Sequence, residues 1–169
     1  GDPGRAAKNA SGFSVFVARS QVSAGKDIQW ASSYTPPSGS SNTVISEGDG
    51  GDLGAAVAAV DDVGNALAVW TQPGADAGLF EVYWNWKTAD GGWATPQPIQ
   101  TVPIYNRKEP FVAARGGGVF HVTWTESYDA MTAEVRSATF RPGIGWSDAG
   151  KLNGSGGAGW SRVGADVNG

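Results

Sequence analysis

Three tryptophans and a tyrosine fall within eleven residues of the stretch LFEVYWNWKTADGGWATPQPI, Leu79 to Ile99, and Glu81 stands at its head. An indole face stacks on the C–H face of a sugar, and a neighbouring carboxylate accepts hydroxyl hydrogen bonds, so rings beside an acid are a natural carbohydrate platform. The acid recurs as Asp27, Glu81 and Glu134. Candidate stacking rings are Trp30, Trp84, Trp86, Trp93 and Trp146. Trp84 and Trp86 share a strand face with Val82, yet their counterparts are Trp30 and Ser32 in one direction and Ser137 and Thr139 in the other. A core position seldom accepts both tryptophan and serine. The substitution pattern therefore predicts that Trp86, or else Trp84, lines an open groove with Glu81 and Trp93.

Other chemistry-bearing residues read as structure. Trp70 and Trp124 end equivalent strands and read as packing between neighbouring elements. Trp93 and Trp146 follow a glycine at a turn, where a ring can either plug a gap or lie open. His121 is the one histidine, and its counterparts Leu67 and Val15 mark a structural position, which removes histidine-based nucleophilic catalysis and any histidine metal cluster. Asp61, Asp62 and Asp166 sit in turn sequences with Asn and Gly. The charge run NRKEP, Asn106 to Pro110, reads as a solvated face. No cofactor or metal is expected.

The elements that must position these residues are repeats. GNALAVWTQ from Gly64 returns as GVFHVTWTE from Gly118, a shift of 54, and GFSVFVARS from Gly12 precedes it by 52. Glu81 with Trp93 maps onto Glu134 with Trp146 at a shift of 53, and KDIQWASSY is set in the same frame with Asp27 under Glu81 and Trp30 under Trp84. Within each copy, short alternating runs such as AAVAAVD, ALAVWTQ, FEVYWNW and PQPIQ read as four antiparallel strands, with DDVG, RGGG and DGGW as turns. Strands apolar on both faces must be covered on both faces. An all-β chain of three four-stranded blades, each about 53 residues, fits a β-propeller better than a sandwich, whose strands show one polar face.

The whole chain, 1–169, then forms one half-ring domain, with copies at about 12–48, 49–102 and 103–155. Its N-terminal copy reads as starting at a second strand, while SRVGADVNG aligns with a first strand. Residues 160–169 are therefore expected to close a partner's blade, making a six-bladed ring from two chains, with Trp160 at the seam. A piece of a longer propeller is the alternative.

Composition narrows the function. With 16 acidic and 12 basic residues and a net charge of -4, no basic surplus exists to neutralise nucleic-acid phosphates. No apolar run reaches a membrane span. Twenty-six glycines and eight tryptophans suit short strands and tight turns, and the absence of cysteine excludes disulfides and thiolate sites.

At EVYWNWKTADGGW and EVRSATFRPGIGW the chain resembles the small sugar-binding β-propeller lectins, especially the six-bladed fucose-binding type, whose bacterial members build a full ring from short chains. The resemblance implies Glu81 and Glu134 as sugar-binding acids and Trp93 and Trp146 as stacking rings. It also implies a second-strand arginine, whose matching positions here hold Phe16, Ala68 and Val122. The expected function is a non-catalytic, secreted or surface-exposed lectin with repeated weak sites for a glycan, which avidity would strengthen. The rival readings are part of a sialidase-like or other glycosidase propeller, and a structural or protein-binding ring.

Overall fold

The structure, a computed structural model, describes residues 4–23, 26–46, 53–74, 78–99, 106–127 and 132–152. These residues form an all-β fold of three antiparallel sheets, without helix. The first sheet runs β1 (Arg5–Lys8), β2 (Ser14–Ser23), β3 (Lys26–Thr35) and β4 (Gly39–Val44) in spatial order. The second repeats the pattern with β5 (Val57–Val60), β6 (Ala66–Pro73), β7 (Phe80–Lys87) and β8 (Gln97–Pro98). In the third, β9 (Asn106–Arg115), β10 (Val119–Ser127) and β11 (Ala133–Arg141) are followed by β12 (Gly145–Trp146) and β13 (Gly150–Lys151), both paired with β11. No sheet closes on itself among the described residues.

Alternation of side chains across a strand explains the stacking of the sheets. Along β6, Ala66, Ala68 and Trp70 turn to the first sheet and pack with Val15, Val17, Ala31 and Ile45. Leu67 and Val69 turn the other way and join Val112, Phe120, Val122, Trp124 and Phe140 of the third sheet. The second sheet is thus covered on both faces, as its doubly apolar strands require. The first strands adjoin one another in order, β1 beside β5 and β5 beside β9. Trp70 and Trp124 are fully buried, as packing rings.

Two expectations are corrected. The first sheet has its own first strand, since Arg5–Lys8 pairs with Ser14–Val17. The copy therefore begins before residue 12, and the vacancy that strand exchange was meant to fill is occupied; residues 160–169 and Trp160 lie outside the described residues, as does Asp166. The run at Asn106–Pro110 is not a solvated face throughout. Glu109, at a φ of 54°, and Pro110 form a bulge opposite Trp124, and Arg107 is turned inward and buried.

Candidate functional site

Strand pairing fixes where each candidate ring and acid points. Opposite β6, the residues Val82, Trp84 and Trp86 stand with Thr71, Val69 and Leu67, on the face toward the third sheet. Glu81, Tyr83, Asn85 and Lys87 stand with Gln72, Trp70, Ala68 and Ala66, on the face toward the first sheet, to which Asn85 donates a hydrogen bond at Ile45 O, 3.0 Å away. Glu81 is therefore on the opposite side of β7 from Trp84 and Trp86. The groove expected from Trp86, Glu81 and Trp93 does not form.

The tryptophans instead pack between sheets. Trp84 lies 4.9 Å from Phe140 and 5.5 Å from Trp146, ring centre to ring centre, and Trp86 lies 5.5 Å from Phe140. Ser137 and Thr139, at the equivalent third-sheet positions, stand opposite Thr123 and His121 on the face turned away from the second sheet, so they have no such seam to fill among the described residues. Trp93 packs in the other seam, against the cluster holding Trp70. It bridges Lys87, six residues along the strand from Glu81, and Trp146 pairs with Phe140, six residues from Glu134. At about 3.3 Å per residue the backbone of each acid lies some 20 Å along the strand from the residue that pairs with the ring assigned to it. These pairs cannot clasp one sugar ring.

The acids have cationic or buried settings. Asp27 is nearly buried and lies 3.7 Å from Arg19. Its register opposite Gln21, with Ala31 opposite Val17, places Asp27 under Phe80 and Trp30 under Tyr83, one residue off the frame expected from sequence. Glu81 is buried, with its Cγ 2.9 Å from where a Cβ on Gly74 would be. Glu134 belongs to a chain of charges across the third sheet. Arg107 Nε meets Glu126 Oε1 at 3.0 Å, Arg136 Nε meets Glu126 Oε2 at 3.0 Å, Arg136 Nη2 meets Glu134 Oε2 at 3.0 Å, and Lys151 Nζ reaches Glu134 Oε1. All four carboxylate oxygens face a cation.

Of the candidate rings, Trp30 lies on a sheet face that no other sheet covers among the described residues. The rows of that face read Phe16, Ser32, Asn42; Ala18, Trp30, Val44; and Ser14, Tyr34, Ser40 across β2, β3 and β4. Phe16 and Trp30 touch at 5.5 Å between ring centres, and Phe16, Tyr34 and Val44 are 37%, 43% and 54% exposed. A shallow depression of about 370 Å³ is lined by Trp30, Asn42, Thr43 and Val44. Phe16, Tyr34 and Asn42 were not among the sequence candidates, although the alternation Trp30, Ser32, Tyr34 along one strand is the signal of a shared face. Rings set among hydroxyls and an amide offer stacking surface and hydrogen bonds together.

His121, by contrast, is a structural residue of the third sheet. Its Nδ1 lies 3.1 Å from Thr139 Oγ1, and its pKa is held below the ordinary value by burial, with Arg141 and Arg115 adding repulsion. Burial likewise lowers the Lys87 pKa, against an opposing pull from Asp90. Among the described residues no three His, Cys, Asp or Glu side chains gather where a metal could be held, and no helix is long and apolar enough to cross a membrane. No protein-family model matches the chain, and no curated protein is similar to it.

Proposed function

We propose that the protein is a non-catalytic carbohydrate-binding module of β-propeller type, acting outside the cell, which binds glycan chains on the open face of its first sheet. The observation that carries this reading is that exposed Phe16 and Tyr34 and half-buried Trp30 share one sheet face with Ser32, Ser40 and Asn42. Stacked sheets with adjoining first strands support the blade assignment. The sites are not repeated in each sheet, because the equivalent faces of the other two sheets are packed.

That equivalence favours a second reading. The faces of the second and third sheets that carry Trp70 and Trp124 are each covered by the preceding sheet, so the first sheet's open face is shaped to receive another sheet, supplied by a second copy. Binding to a panel of soluble and insoluble polysaccharides, run beside sedimentation of the chain, separates the two. The carbohydrate reading expects retention on at least one glycan, weakened about tenfold or more by Trp30→Ala and unaffected by Glu81→Gln. A dimer that Trp30→Ala dissociates, with no glycan retained, establishes the second reading instead.

A further inference from the structure

The outer edges of the three sheets are built differently. In the second and third sheets the edge pieces β8, β12 and β13 are two residues each, and β8 carries Pro98 while β13 carries Lys151. Short length, proline and lysine all blunt an edge against further pairing. The first sheet has none of these. Its edge strand β4, Gly39–Val44, runs six residues as GSSNTV with no charge, no proline and no shift of register against β3, and Ser40 to Val44 are exposed. Among the described residues no strand pairs with its outer side.

Hydrogen bonding just past the end of β4 fixes which of its residues face outward. Ile45 N donates to Gln29 O at 2.9 Å, so Gln29 and Ile45 are a hydrogen-bonded pair. In an antiparallel ladder such pairs alternate with pairs that exchange no bonds. Counting back along the register, Thr43, Ser41 and Gly39 bond to Ala31, Ser33 and Thr35. Ser40, Asn42 and Val44 therefore turn their backbone N–H and C=O groups to the outer edge. Only another extended strand matches that row of donors and acceptors.

We infer that this edge receives β4 of a second copy of the chain, antiparallel about a two-fold axis at Asn42. Asn42 then pairs with the partner's Asn42, and Ser40 with the partner's Val44, so that outward groups meet outward groups. A neutral strand can pair with itself because no like charges meet across the axis. The two-fold also closes, since each copy uses this edge on the other and no chain of copies grows. The joined sheets share one face, and the row Ala18, Trp30, Val44 continues into the partner's Ser40, the partner's Tyr34 and the partner's Ser14. The partner's Ser40 thereby flanks the depression at Trp30 and Val44. A single pair of short strands covers less than the roughly 1,200 Å² of a standard interface, so the association is weak and reversible. The pairing itself needs no glycan.

Sedimentation equilibrium of the whole chain from about 10 to 500 µM, without sugar, tests the pairing. A monomer–dimer equilibrium is expected. Asn42→Pro removes an N–H that β3 does not use, which an edge strand tolerates, and weakens the dimer about tenfold or more. Asn42→Lys and Asn42→Asp each set like charges on the axis and weaken it, while their equimolar mixture recovers a dimer at least as tight as the parent's. Trp30→Ala leaves the dimer in place, and circular dichroism confirms that each variant is folded. A monomer throughout that range overturns the interface, as does a dimer that Asn42→Pro leaves unchanged. Loss in both charged variants without recovery on mixing overturns the two-fold at Asn42. A dimer that Trp30→Ala dissociates and Asn42→Lys does not belongs to stacking on the open face, and overturns edge pairing.

Discussion

Arg107 Nε lies 3.0 Å from Glu126 Oε1, with the two side chains 4% and 6% exposed, at the inner end of a line of charges that finishes at Lys151. Removing Arg107 takes one of two cations from the buried Glu126 carboxylate. Arg107→Ala is predicted to cost about 3–5 kcal/mol in urea denaturation, while Lys151→Ala, at the solvent end, costs under about 1 kcal/mol. Equal losses would show that burial does not grade this chain of charges.

Trp84 and Trp30 separate packing from availability. Trp84→Ala removes contacts with Phe140 and Trp146 and is predicted to cost about 3 kcal/mol, whereas Trp30→Ala, on the open face, costs about 1 kcal/mol or less. The comparison is made from denaturation midpoints at constant slope. A Trp84→Ala variant as stable as the parent would contradict its place in the seam.

Acid sensitivity carries a contribution from His121. Its folded pKa is below the ordinary 6.5 because burial, then Arg141 and Arg115, disfavour the imidazolium. The unfolded chain therefore takes up the proton first as pH falls. This contribution to stability is complete above the unfolded value and is lost as pH drops through it toward the folded one. His121→Asn is predicted to flatten the stability profile as pH falls below the ordinary histidine value of about 6.5. An unchanged profile would assign the acid sensitivity to other groups.

Gly64 joins the first two sheets at their hairpin ends. Its φ is 101°, and an added Cβ would fall 2.3 Å from Phe13 Cδ1. Gly64→Ala is predicted to destabilise by more than about 1 kcal/mol, through both backbone strain and displacement of the Phe13 ring. Thermal melts of Gly64→Ala beside Gly92→Ala, where nothing lies within 4 Å, provide the contrast.

How far the sequence could be read depended on parity. The 52- and 54-residue shifts of the second strands, and the glycine turns, are local signals, and they led to the three sheets and the doubly covered middle one. Facing is a cross-strand property. Aligning Asp27 under Glu81 rather than under Phe80 is a slip of one residue, and in a strand one residue exchanges the faces. Trp30 was thereby grouped with Trp84, though one is open and the other packed. Likewise Glu81 and Trp86 are near in sequence but on opposite faces, and nothing in the run EVYWNW says which face a neighbouring sheet will take. The ion chain from Arg107 to Lys151 joins residues 44 positions apart, and pairing alone brings them together.

The most direct measurement is nitrogen–proton NMR of the intact chain titrated with an oligosaccharide drawn from a retained polysaccharide. Glycan binding on the first sheet predicts shifts concentrated at the Trp30 indole N–H, Ser32, Tyr34 and Asn42, with the indoles of Trp84 and Trp146 unmoved. Shifts concentrated around Glu81 and Trp93, or none on the open face at saturating sugar, would contradict it.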